Sequence, residues 1–571
     1  MASLLLSVVM TAGAAEPVYH TATTRKILQL TGDLDRPLQR PTKSQTKTRA
    51  GLTATDLGSS FEHKGNLCFL FGDSFCSGGV SNADCMATSS ATNPRDLILN
   101  FPLGNNGVVR PIVIPGISQG AMEVPSYGIS LDGIIYIVHT TDWHEPGAAG
   151  TGNMERSVLA RSDDDGKTWP LVYDLSAASN HDMTNTHFIN AALSEVGAAD
   201  WPGLPFTSGK VVLIWGSGAY RKSDAYLACI PSSEIENKTR MRYFAGLDAQ
   251  NAPVWASSES QATPLFTHAC IGEISAAWIA PVGRWAVFYN AGSPRGITMR
   301  TAARPWGPYS PGQIIMEPWN DDAYGRYMHV SWDWKHLDAF HDSGQANNWG
   351  GEYGPYIIPR FTEGNATRCR IYYAMSTWNP YQAIMMRSEI GQPLRPDELK
   401  METRTETLRL MPGGVNWNMT SADFFTTFTQ GSTPYITTYT EKGDAATGMM
   451  WLQLPRDELN RSLSFSVHGG KAEVLLIEGG ADIPVNPTSI ATLYTDIKAG
   501  VYGDVAQCAW GHSDNAISVP VNWNLRPFDS ASLKIVIIDR LTSEWGFISV
   551  SQMALTRASL QSAIGETWPL Y

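Results

Sequence analysis

A strand-like run, a tight turn and a strongly apolar run ending in polar residues recur five times in this chain. The pairs are TATDLGSSFEH with LCFLFGDSF, EVPSYGISLDG with IIYIVHTTDW, HFINAALSEV with VVLIWGSGAYR, IGEISAAWIA with RWAVFYNAG, and GEYGPYIIPRF with RIYYAMSTWN. They begin near Thr55, Val124, Phe188, Glu273 and Tyr353, a loop-padded period of roughly 60 to 85 residues. Short strands at such a period point to radial β repeats that hide their sheet edges. The expected fold is all-β: a five-bladed β-propeller over 51–395, then a jelly-roll-like β-sandwich over 415–571. A propeller gathers the starts of its innermost strands around one funnel, so polar residues far apart in sequence would meet there.

Composition narrows the function. Of 571 residues 43% are hydrophobic and 17% charged, which describes a core-rich globular chain. The net charge is −12 and there is no basic run, which argues against nucleic acid as a partner. Beyond the N-terminus no apolar run reaches the roughly 18 residues that cross a membrane. The 19 Trp and 21 Tyr suit stacking on sugar C–H faces, or packing between blades. Met1–Ala15 reads as a secretory signal peptide closing on Ala12-Gly13-Ala14, without the usual basic start. With sequons at Asn237, Asn365, Asn418 and Asn460, it predicts a secreted, extracellular protein. Seven cysteines show no zinc spacing; Cys76 and Cys85 flank a loop and are candidates for a local disulfide.

Between the signal and the first repeat, 16–50 is polar and is expected to wrap the propeller. Ser162–Trp169 (SDDDGKTW) matches the Asp-box, a hairpin turn tied by side-chain hydrogen bonds over a tucked Trp, with a structural role. A Pro- and charge-rich joint begins near 391, with 396–414 read as the linker. Beyond it, LSFSVHGGKAEVLLIEGG reads as two strands around a Gly-Gly turn.

The first repeat carries the chemistry. If its turn is His63–Asn66, Asp56 and Asp73 fall directly opposite, with Cβ atoms about 4.5–5.5 Å apart on one face. Two carboxylates in one cleft cannot both ionise freely, which makes an acid beside a base, the pair that glycosidic cleavage requires. The plain alternative is that each Asp caps a turn. Glu273 opens the innermost strand of the fourth repeat and is a third candidate catalytic carboxylate. Glu123, His187 and Glu352 with Tyr353 sit at matching points and are candidates to bind sugar hydroxyls. Arg221 can fork two hydroxyls, or pair with Asp224. Trp378-Asn379 suits a stacking platform with an amide. No cofactor is implied, and no ligand spacing argues for a metal, a structural Ca²⁺ included.

TDLG, FGDSF, WGSGAYRKSDAYLA, GEISAAW and YYAMSTWNPYQAIMMRSEI together resemble the propeller family known as domain of unknown function 4185, over roughly 50–390. That family includes secreted endo-D-arabinanases, glycoside hydrolases that cut D-arabinofuranose chains. The resemblance implies that Asp56 of TDLG and Asp73 of FGDSF are the catalytic pair, acting with inversion. Asp56 is assigned as base and Asp73 as acid, with the reverse order open. The closing WNLRPF and WGF pattern resembles the sandwich appended to fructan- and arabinan-type hydrolases, which keeps other furanosides in play. A non-catalytic carbohydrate-binding propeller and a polysaccharide lyase are the readings from other classes. A sialidase lacks its arginine triad.

Overall fold

The computed structural model describes residues 16–562 except 146–151, 320–322, 330–348, 394–398, 409–416, 421–423, 431, 442, 444–445, 455–458, 471, 511–517, 529–531 and 543–545. The signal-peptide reading of 1–15 lies outside the described residues. The chain divides into two compact units. The first holds 1–33, 41–321 and 349–393; the second holds 34–40, 322–348 and 394–571.

In the first unit every repeat read from the sequence is an antiparallel sheet segment. Leu52–His63, Asn66–Cys76 and Val80–Ser89 form the first segment, and Pro125–Leu131, Ile134–His144, Asn153–Ser162 and Leu171–Ala177 the second. Asn190–Gly197, Lys210–Ser217 and Ser223–Pro231 follow, then Phe266–Ile279, Arg284–Gly292, Arg295–Ala302 and Gln313–Met316. These two segments join through Ser223 with Ile271 and Ala225 with Phe266. The last segment is Gly351–Ile357, Cys369–Trp378 and Gln382–Gly391. The first strand of each segment packs on the first strand of the next, and Gly351–Ile357 returns to Leu52–His63, so the five leading strands close a ring.

Sequence explains these strands. Their second members (LCFLF, IIYIV, VVLIW, WAVFY, IYYAM) are apolar on both faces and, apart from half-buried Ile134, buried, as strands sandwiched between neighbouring layers must be. The surplus of tryptophan is partly spent here: Trp201, Trp215, Trp278 and Trp285 pack with centroids 4.9–5.8 Å apart. The Asp-box forms as read. Asp164 accepts the Lys167 and Thr168 N–H groups and both hydroxyls of Ser162 and Thr168, over a buried Trp169. Those donors hold the Asp164 carboxyl well below the usual carboxylate range.

Four expectations are corrected. Cys76 and Cys85 are not bridged: all seven cysteines are free thiols, and Cys85 pairs with Phe71, well along the hairpin from Cys76. Segment 16–50 does not simply wrap one domain. Val18–Tyr19 and Arg25–Gln29 pair with Gln382–Gly391, whereas 34–40 belongs to the second unit. The 396–414 linker contains a strand, Leu399–Leu408, in unbroken register with Met553–Ser562. Its alternation of charge with threonine (KMETRTETL) is that of a strand at a sheet edge. Finally, Leu459–Gly469 and Glu473–Glu478 are not a hairpin. The first belongs to a seven-stranded sheet and the second to a five-stranded one, so the Gly-Gly passes the chain from sheet to sheet.

Among its described residues the second unit holds those two antiparallel sheets, the 34–40 segment and the α-helix Ile490–Lys498, capped by the Ser489 hydroxyl on the Thr492 N–H. One apolar cluster draws on both sheets: Phe465, Val467 and Trp523 from one, Val474, Ile535 and Ile537 from the other. Among the described residues, no helix is long and apolar enough to cross a membrane.

Candidate active site

The hairpin that positions the two aspartates departs from the simple register. From His63–Asn66 back to Ser59–Leu70 the pairing is the one expected, but a bulge at Leu57–Gly58 shifts it, and Asp56 lies opposite Gly72 instead of Asp73. Leu57 and Gly58 have φ of 65° and 115°, both left-handed. Ser376 holds this bulge, its Oγ accepting the Leu57 N–H at 2.6 Å. Asp73 is itself left-handed, φ 40°, inside a second irregularity between Phe71 and Ser74. Asp tolerates that conformation better than most residues, and bulges re-aim side chains at functional sites. Thus the aspartates are not cross-strand partners, yet both line one cleft.

That cleft has a volume of about 400 Å³ and is lined by leading-strand residues. Asn190 and Glu352 sit at the starts of their strands, whereas Glu273 does not open its strand but lies midway along Phe266–Ile279. Asp56, Asp73, Arg221, Glu273, Glu352, Tyr353 and Trp378 all line it. Glu123, His187 and Asn379 are not among its lining residues. Glu123 is buried beside it, accepting the Ser118 hydroxyl at 2.5 Å and the Trp143 N–H at 2.9 Å. His187 stacks on Tyr226 with centroids 3.9 Å apart. Its place at the rim is taken by Asn190, which opens the third leading strand.

Asp56 is 7% exposed, and Tyr353 donates its hydroxyl to Oδ2 at 3.0 Å. Burial, then the charge of Asp73, push the Asp56 carboxyl well above the usual range. The tyrosines offset part of this, with Tyr381 facing the carboxylate outside hydrogen-bond geometry. Asp73 receives the Met122 N–H on both oxygens, at 3.1 and 3.0 Å. Burial raises it to about 6 against that bond, helped by the charges of Asp84 and Glu123. Glu273 lies 3.5 Å from Arg221 Nη2 and accepts the Tyr220 hydroxyl at 3.4 Å. Arg221 therefore pairs with Glu273, and not with Asp224. Arg295 donates from Nε to both oxygens of Glu352, at 3.2 and 3.3 Å.

The cleft is unsatisfied in a specific way. Asp56 Oδ1, Glu273 Oε2, Asn190 Nδ2 and Asn290 Oδ1 are buried without a hydrogen-bond partner within the protein. Leaving such an atom unpaired costs about 1–3 kcal/mol each, so four in one cleft mark a site built for a hydroxyl-rich ligand. Aromatic rings stand at its mouth. Trp378 is 60% exposed and meets Tyr381 edge-on at 5.8 Å, and Tyr381 meets the exposed Phe75 at 5.9 Å. Exposed Trp319 lies under the Arg295 guanidinium.

Tyr220, Asn190, Asn290, Arg295 and Tyr381 escape the sequence reading. Asn290 ends the second strand of its repeat (WAVFYNAG), as Asp73 does in the first, so comparing strand ends across repeats would have found it. Tyr381 lies in a turn and Arg295 opens the third strand of its repeat, just after the Ser293-Pro294 turn, and neither place carries such a signal.

No protein of curated function matches the chain. Among solved structures it is similar to an exo-β-1,3-galactanase from Phanerochaete chrysosporium, at 9% identity and TM-score 0.36, over 93% of this chain and 100% of that one. A β-fructofuranosidase from Bombyx mori gives 10% and 0.33 over 91% and 95%. An arabinanase from Bacillus subtilis gives 10% and 0.32 over 59% and 96%. The family described as "Domain of unknown function (DUF4185)" matches residues 42–387, and the chain belongs to it.

Proposed function

We propose that this protein is a secreted glycoside hydrolase that cleaves furanoside linkages of a neutral polysaccharide, D-arabinan foremost, with Asp56 and Asp73 as its acid–base pair. The observation that carries the reading is the pairing of two proton-retaining carboxylates with four unsatisfied buried polar atoms in one aromatic-rimmed cleft. Two such carboxylates titrate as a unit that holds one proton over a range of pH. With the proton on Asp73, the repulsion that burdens Asp56 is gone, and the Tyr353 hydroxyl stabilises the Asp56 charge. In that state Asp73 protonates the leaving oxygen and Asp56 activates water. Glu273 sits across the cleft, its free oxygen available to a sugar hydroxyl.

A neutral substrate fits the charge pattern. Both cleft arginines face glutamates, Arg221 with Glu273 and Arg295 with Glu352, so neither offers the open cation that a sialic or uronic acid requires. This weighs against the sialidase and lyase readings. The closed ring of leading strands supports five blades around one axis, and the shared core of the two later sheets supports a β-sandwich. N-terminal sequencing of exported protein tests the secretion signal.

The decisive experiment is a product screen on D-arabinan, L-arabinan and fructan with wild type, Asp56→Asn and Asp73→Asn. Each variant should lose about 10²–10⁴-fold in rate. An aryl furanoside with a good leaving group should restore turnover in Asp73→Asn but not in Asp56→Asn; the opposite pattern reverses the roles. Full activity in both variants, or glycan binding with no cleavage by wild type, would replace the hydrolase with a carbohydrate-binding protein.

A further inference from the structure

Three metal-ligating side chains converge on the second sheet segment, and none of them lines the cleft or serves the chemistry above. His144 ends the Ile134–His144 strand and pairs in register with Asn153. Glu155 follows two residues later on that neighbouring strand, which returns it to the face occupied by Asn153. His181 comes from a third element, the turn in which the Asp182 N–H bonds to Ser179 O. The Ala178 N–H anchors that turn on Glu155 O at 2.7 Å. The two imidazoles stack 4.2 Å apart at 26°, and His181 Nδ1 lies 2.7 and 2.8 Å from the Glu155 oxygens. One donor atom from each residue falls within 4.8 Å of the others, the sole such group among the described residues.

We infer that His144, Glu155 and His181 form a transition-metal site of the zinc class. Two imidazole nitrogens and one carboxylate oxygen are the donors that zinc accepts, whereas calcium and magnesium demand oxygen shells. Donors about 2.0–2.2 Å from a tetrahedral ion stand roughly 3.3–3.6 Å from one another, so side-chain rotation alone closes the group. Both histidines are exposed, which leaves the fourth position to water. The ion would cross-link the Ser179–Asp182 turn to the end of the sheet. It would act close to the substrate: Met154, beside Glu155, lines the cleft, and Asn153 Oδ1 accepts the backbone N–H of Tyr220, another lining residue. A simple His181–Glu155 ion pair stacked on His144 is the competing account.

Calorimetric titration of the full chain with ZnCl₂, after removal of bound metal by chelation, separates the two. The inferred site predicts one equivalent of saturable binding, a raised unfolding temperature with zinc, and tetrahedral visible absorption when Co²⁺ replaces it. His144→Ala and Glu155→Gln should each weaken zinc binding by more than about tenfold. Both histidines are exposed, and Glu155, only part-exposed, keeps an acceptor for His181 when changed to Gln, so matching circular dichroism will show that the variants fold. No saturable uptake by wild type, or unchanged uptake in both variants, overturns the site and leaves the ion pair.

Discussion

Tyr353 and Asp56, 297 residues apart in sequence, meet through a 3.0 Å hydrogen bond from the phenol to Oδ2. The bond ties the last repeat to the first and is a donor that favours the charged form of Asp56. Tyr353→Phe removes that donor, so Asp56 holds its proton to still higher pH. We expect kcat/KM to fall about tenfold or more. The pH–rate profile should also move upward on its limb for base ionisation. An unchanged profile would reduce Tyr353 to a packing residue.

Asp73 makes a stability prediction with a definite sign. Its carboxyl is raised from the usual value near 3.9 to about 6 in the folded protein. A raised carboxyl contributes most below its unfolded value, and that contribution is lost as pH climbs through the folded one. Asp73→Asn should therefore unfold at a higher temperature than wild type above pH 6. Partial exposure keeps the gain under about 3 kcal/mol. The difference should vanish below about pH 4, which thermal melts across pH will reveal. Because the pair works with one proton, wild-type activity should rise as pH passes about 6, where the first proton leaves, and fall at higher pH when the second leaves.

Ser376 tests the bulge. Its Oγ is the acceptor for the Leu57 N–H, and both residues are buried. Ser376→Ala leaves that N–H unpaired and should cost about 1–3 kcal/mol in denaturant unfolding. Activity should fall as well, because Leu57 adjoins Asp56. Gly72→Ala is harsher: a Cβ there would lie 2.4 Å from Val124 Cγ1.

In the second unit Lys498 and Glu473 form a buried ion pair, with Tyr494 donating to the same glutamate at 2.7 Å. Lys498→Met strands the carboxylate and should cost about 3–5 kcal/mol. Replacing both partners by apolar residues should recover most of it. A double-mutant cycle on chemical denaturation curves reads the coupling.

The strands and their grouping were legible because apolar runs and tight turns are local properties of the sequence. Asp56 and Glu273 were legible because they mark matching points on the first strands of their repeats, and Asp73 because it closes the second strand of its own. The bulge was not, since it takes two left-handed residues that Ser376 stabilises from the far end of the unit. His187 misled because it stands three residues ahead of Asn190 in a run whose apolar alternation fits either choice. The strand Leu399–Leu408 was hidden by its charges, which are equally at home in a linker and on an exposed sheet face. Contacts between side chains of different repeats, such as Arg295 on Glu352, leave no trace in a single sequence.

Arg25–Gln29 completes the sheet whose other strands end at Gly391. Arg25–Gln29 must therefore wait, during synthesis, until its partner strand Gln382–Gly391 has emerged. Closing a loop of that length is entropically costly and slow. An early strand with an unpaired edge is meanwhile open to the wrong partner. Deleting Glu16–Gln29 should then leave a chain that is made but aggregates, while the same peptide added in trans should restore soluble protein.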